Sequence, residues 1–160
     1  MNLSKVFGFI SVAILTAQAT VAGAVCLDEN MVSGYHEPLE KELAKSVAVL
    51  FGETLTVTNL TEDPSDPEGI TARIYRVRVL TLLRGTAAKE IDIRDENTSG
   101  RFGFDVGKKY LLFVRHTVSD RLTEDVRIGP HYYVSPCGNS GLISESAEVL
   151  KQLGIPRSAY

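Results

Sequence analysis

Lys108-Lys-Tyr-Leu-Leu-Phe-Val-Arg115 runs apolar from Tyr110 to Val114 between charged ends. A strand sends alternate side chains to opposite faces, so an unbroken apolar run buries both faces at once. The stretch is therefore read as a central strand covered on each side. Upstream, Ile70 to Leu83 alternates: Tyr75, Val77 and Val79 on one face, Arg76 and Arg78 on the other. One face is core and one is wet. Arg84-Gly85-Thr86 reads as a turn, and Glu90-Ile-Asp-Ile-Arg94 alternates again with Ile91 and Ile93 inward. Before these, Ser46 to Asn59 is rich in β-branched residues and interrupted by Gly52, which predicts a long strand with a bulge or bend there.

Further strands are expected at Glu124–Ile128 and His131–Val134, split by Gly129-Pro130. Thr61–Gly69 and Asn97–Gly100 read as loops. A short helix is predicted over Pro38–Lys45, with Pro38 in its first turn and Leu39, Leu43 and Ala44 on one side. A last helix begins near Ser144, turns Ala147, Leu150 and Leu153 inward, and stops at Gly154 with Pro156 beyond. Five or six short strands with no βαβ alternation and a helix at each end make a mainly β protein, a small barrel or sandwich. No internal repeat is present.

The chain has 160 residues with 44% hydrophobic, enough for one core. Residues 1–24 read as a secretory signal peptide: Lys5, an apolar run from Val6 to Leu15, then small residues at Ala22 and Ala24. The alternative, an uncleaved anchor, is weakened by Thr16, Gln18 and Thr20. Residues 25–160 then form a single domain that is secreted or periplasmic, with no membrane partner once the signal is removed. The formal charge is −3, and cleavage removes one lysine more, which excludes a general nucleic-acid binder. Thiols in an oxidising compartment tend to pair, so Cys26 and Cys137 are expected to form one disulfide; the alternative is two free or redox-active cysteines.

Ser46-Val-Ala-Val-Leu-Phe-Gly-Glu, Tyr75-Arg-Val-Arg-Val-Leu-Thr-Leu-Leu-Arg-Gly, Phe104-Asp-Val-Gly-Lys-Lys-Tyr-Leu-Leu-Phe-Val and Val134-Ser-Pro-Cys-Gly before a final helix, taken together, resemble secreted proteins similar to tissue inhibitors of metalloproteinases, in a bacterial-type variant. The resemblance runs from about Cys26 to Gly154. It implies a small closed barrel of the OB-fold-like, netrin-module kind, with five to six strands. In that family's inhibitors a cysteine at position one chelates a protease's zinc through its α-amine and carbonyl. Carried over, the inhibitory N-terminus would be Val25-Cys26 and the partner a metalloprotease. Here cleavage after Ala24 leaves Val25 ahead of Cys26, and Leu27-Asp28 stand where the inhibitors carry a second cysteine.

Neither hydrolase, nucleotide nor metalloprotease fingerprints occur, and no catalytic residue, cofactor or metal set is assigned. His36, His116 and His131 are scattered and read as surface or strand-end residues rather than a zinc site. Glu62-Asp63-Pro-Ser-Asp66-Pro-Glu68 reads as a solvated loop rather than a calcium site. Arg73, Arg76 and Arg78 form a basic stripe that would meet a ligand on an OB surface, or pair across strands with Glu90 and Asp92. Asn59-Leu-Thr61 and Asn97-Thr-Ser99 are glycosylation sequons. The leading expectation is an exported, non-enzymatic binding module with an unidentified protein partner; the alternative is a metalloprotease inhibitor working through the N-terminal cysteine region.

Overall fold

The structure is a computed structural model that describes residues 26, 27, 30, 31, 33–118, 120, 121, 127–156 and 158. The signal peptide expected at 1–24, and Val25, lie outside them. In chain order the elements are α1 (Leu39–Lys45), β1 (Ala48–Leu60), β2 (Ala72–Gly85), β3 (Glu90–Glu96), β4 (Lys109–Thr117), β5 (Asp120–Arg121), β6 (Arg127–Ile128), β7 (His131–Val134), β8 (Gly141–Leu142), a 3-10 turn (Ile143–Glu145) and α2 (Ala147–Gln152).

Five of the strands close into a ring. β1 pairs with β2 and β2 with β3, both antiparallel; β3 lies parallel to β7 at Ile93 and Tyr132; β7 and β1 each pair antiparallel with β4. β8 continues the sheet beside Tyr110 and Leu111 of β4. The strand expected at Glu124–Ile128 is described only at Arg127–Ile128, where it pairs with β5 in a separate two-stranded sheet and not in the ring.

β4 behaves as its apolar run requires. Tyr110, Leu112 and Val114 point into the ring with Leu50, Tyr75, Val77, Ile91, Ile93 and Phe104. Leu111 and Phe113 point outward and join Val49, Phe51 and Leu150 in a second core, against which Leu39 and Leu43 of α1 and Val149 and Leu153 of α2 pack. The outer core exists because both helices cover this one face of the β1–β4 pair. Phe102 and Phe104 close one end of the ring interior, Phe104 lying 4.8 Å from Tyr75 and 5.3 Å from Tyr110 between ring centroids.

Gly52 does mark an irregularity, but the extra residue sits on the partner strand. Phe51 opposes Thr81 and Gly52 opposes Val79, leaving Leu80 bulged. A Cβ on Gly52 would lie 2.5 Å from Val77 Cγ1, so a larger residue at this inward position would force the packed core side chains to shift. The helices differ from expectation in detail. In α1 the fully buried residue is Glu42 while Ala44 is exposed. α2 starts after Ser146, because Ile143–Glu145 winds as a 3-10 turn first; Val149 rather than Ala147 turns inward. Its end is a Schellman arrangement, with Ile155 N–H bonding Leu150 O and Gly154 N–H bonding Lys151 O at φ +71°. Among the described residues, no helix is long and apolar enough to cross a membrane.

Candidate functional site

Cys26 and Cys137 are bonded, S–S 2.05 Å, across a sequence separation of 111. Cys137 lies in the loop after β7 rather than within a strand, and it ties down the segment that leads into α1. The Cys26 carbonyl accepts N–H bonds from Gly34 and Tyr35 at 2.9 and 3.0 Å, and Glu37 N–H donates to Cys137 O at 2.8 Å.

Beneath this clamp is a buried ionic group that the sequence reading missed. Glu37 accepts from Lys45 Nζ at 2.6 Å and from Arg115 Nη2. Glu42, fully buried, accepts from the backbone N–H and the Nδ2 of Asn139, and its Oε1 sits 3.8 Å from Arg115 Nη2. A Cβ at Gly138 would lie 1.9 Å from Glu42 Oε1, so a side chain there would displace the Glu42 carboxylate from its present position. The two acids are driven in opposite directions. Burial alone would raise Glu37, but its hydrogen bonds from Lys45 and Arg115 outweigh that and hold it below the usual carboxylate range. Burial raises Glu42, only partly offset by Asn139 and Arg115.

The signs of the pH dependence follow. Glu37 contributes stability above the ordinary glutamate range, lost as pH falls through its lowered pKa. Glu42 contributes stability that is whole below its ordinary value of 4.5 and lost as pH rises through its raised pKa. Glu42→Gln removes the second term. The melting temperature of the variant, measured relative to wild type, is expected to climb as pH rises from below 4.5 to neutrality; a constant offset would show that Glu42 does not titrate in this way.

The three arginines of the predicted stripe do not share one face. Arg76 makes a two-pronged pair with Asp92, 2.9 and 3.0 Å, and Arg78 reaches Glu53 at 3.4 Å. Both pairs are solvent-exposed, so water and salt screen them and neither is a main support of the fold. Arg73 is in phase with Tyr75 and Val77 and donates to Asn97 Oδ1 at 2.9 Å. That hydrogen bond engages the first residue of the Asn97 sequon, whose Nδ2 also donates to Ile70 O at 2.8 Å.

Arg94, the last residue of the predicted third strand, is the centre of the outer face formed by β2, β3 and β7. Only 4% of its side chain is exposed. Its Nη1 and Nη2 donate to the two oxygens of Glu62, from the loop after β1, and its Nε donates to Glu96 Oε1. The hydrogen bond from Arg94 is the main reason Glu62 is held below the usual range. Next to it, burial raises Asp95, although Gly103 and Phe102 donate their backbone N–H groups to it at 3.0 and 3.1 Å.

Two clefts meet at Arg94 and His131. One, of about 400 Å³, includes Asp95, Arg101 and Tyr133; the other, of about 500 Å³, includes Ile74, Asp92, His116 and Tyr132. His116 packs on Tyr132, ring centroids 5.2 Å apart, and His131 Nδ1 lies 2.9 Å from Gly129 O. His36 lies away from both, its Nε2 3.0 Å from Asn139 Oδ1. Among the described residues no group of three or more His, Cys, Asp or Glu is placed to hold a metal ion. In the acidic loop, Glu62 is taken by Arg94 and Asp63 accepts from the N–H and Oγ of Ser65. No family model, curated protein or solved structure matches the chain.

Proposed function

We propose that this chain is an exported, non-enzymatic binding module on an OB-like barrel, and that it meets a protein partner through the outer face of β2, β3 and β7. The observation that carries the reading is the pair of clefts joined at Arg94 and His131, with Arg94 locked by Glu62 and Glu96 so that the concave face is rigid before any partner arrives. The strand order of the ring supports the OB-like assignment, and OB folds characteristically bind on the second and third strands and the adjoining loops. The disulfide supports an oxidising, extracytoplasmic location.

A photo-crosslinking residue at Tyr133, with one at Lys151 on α2 as control, tests the face. Adducts with one extracytoplasmic protein from position 133 alone are expected; adducts from both positions, or from neither, would overturn it. Export is tested by N-terminal sequencing of the protein recovered outside the cytoplasm, which should begin at Val25.

Metalloprotease inhibition is the second reading, favoured by the clamp that fixes Cys26. Chelation would need the Cys26 carbonyl, which already accepts the Gly34 and Tyr35 N–H groups. Inhibition by a chain beginning at Cys26, abolished by acetylating its amine, would establish this reading over the first.

A further inference from the structure

Among the described residues, β1 is covered on both edges only over its first half. Ala48–Glu53 pairs with β2 and β4 together, and the last bonds on the β4 side join Thr54 N–H to Lys108 O at 3.1 Å and Gly107 N–H to Thr54 O at 2.7 Å. From Leu55 onward β1 pairs with β2 alone among the described residues. Leu60 O accepts from Thr71 N–H on the β2 side, so by alternation Val57 and Asn59 turn their N–H and C=O groups to the free edge. The phase change is made at Leu55, the extra residue between Thr54 and Thr56. Thr56, Val57, Thr58 and Asn59 are all exposed. They include none of the lysines, prolines or inward charges that commonly blunt such an edge.

We propose that this edge pairs antiparallel with the same edge of a second copy of the chain, about a two-fold axis at Thr58. In that register Val57 of each copy opposes Asn59 of the other, and the two pairs satisfy all four outward N–H groups and carbonyls. Thr58 faces Thr58 across the axis, a favourable cross-strand pair.

Charge favours the same partner. Lys108 and Lys109 stand at the Thr54 end of the free edge, and no carboxylate pairs with either among the described residues. Asp105, close by in sequence, reduces that end to one net positive charge. At the Leu60 end, Asp63, Asp66 and Glu68 likewise lack a cationic partner among the described residues. The two-fold operation brings the basic end of each copy to the acidic end of the other. Two residue pairs of main-chain hydrogen bonds make a short contact, so the dimer is a weak one that forms as concentration rises.

Sedimentation velocity on the purified disulfide-bonded protein, over rising concentration, tests the pairing. A monomer–dimer equilibrium weakened by salt is expected. Thr58→Lys puts two ammonium groups face to face and should raise the dissociation constant by about tenfold or more. Its melting temperature, measured where wild type is monomeric, should match wild type. Lys108→Glu should weaken the dimer and Asp66→Lys added to it should restore it; this pair decides the matter if Thr58→Lys does not fold. A protein that is monomeric throughout, or a dimer indifferent to both sets of variants, overturns the proposal.

Discussion

Replacing both Cys26 and Cys137 with serine is expected to cost up to about 4–5 kcal/mol, because the bond closes a loop of 111 residues and opening it returns that closure entropy to the unfolded chain. The folded state should change little. Glu37 N–H still reaches Cys137 O, and Asn139 still bridges Glu37 O and the Glu42 carboxylate. The denaturant midpoint should therefore fall, and the slope of the transition should rise as the unfolded chain, freed of its cross-link, expands. The melting temperature should fall by roughly 10–20 °C for a domain of this size. Wild-type protein treated with reductant should reproduce the shift. A midpoint unchanged in the double serine variant would mean that the buried ionic group alone holds the N-terminal segment in both states.

Phe113→Ala is expected to cost about 3–5 kcal/mol, the range for a fully buried phenylalanine whose surroundings cannot collapse. Phe113 is fully buried on the outer face of β4, in the core where α1 and α2 meet the sheet. Its ring is held between structural layers, so relaxation would require a helix to move. Chemical denaturation of the variant gives the cost directly. A loss below about 1 kcal/mol would indicate that the helices do not rest on β4. Since domains of this size are commonly stable by only 5–15 kcal/mol, combining Phe113→Ala with the cysteine replacements should leave little folded protein.

The part of this fold that is legible in sequence is the part where side-chain period and burial agree. Tyr110–Val114 announces a two-faced strand, Tyr75, Val77 and Val79 and then Ile91 and Ile93 announce one-faced ones, and Gly154 announces the end of α2. Ring closure was less visible, since the pairing of β1 with β4 depends on residues far apart in sequence. The buried charges were invisible for a different reason. Patterning assigns every Glu and Arg to water, yet Glu42 and Arg94 are buried because partners from other elements satisfy them: Asn139 from the loop after β7, and Glu62 from the loop after β1. The same patterning set Ala44 on one side of α1 with Leu39 and Leu43, which do pack inward, whereas Ala44 is exposed. At the candidate face, Arg76 was legible as an exposed cation with Asp92 as its mate. Arg94 could have been suspected only from its place as the outward residue of a strand whose neighbours alternate.

The double coverage of β1 at Ala48–Glu53 also bears on folding speed. β1, β2 and β3 follow one another along the chain and can form a meander with short loops to close. β4 pairs with the free side of β1 across the whole of β2 and β3, and β7 must reach back to lie parallel with β3. A topology dominated by such distant pairings folds slowly, in the millisecond-to-second range rather than in microseconds. Until those distant pairings form, nothing local covers the apolar run Tyr110–Val114, so the strand that the finished protein buries most completely is also the one that depends most on distant partners.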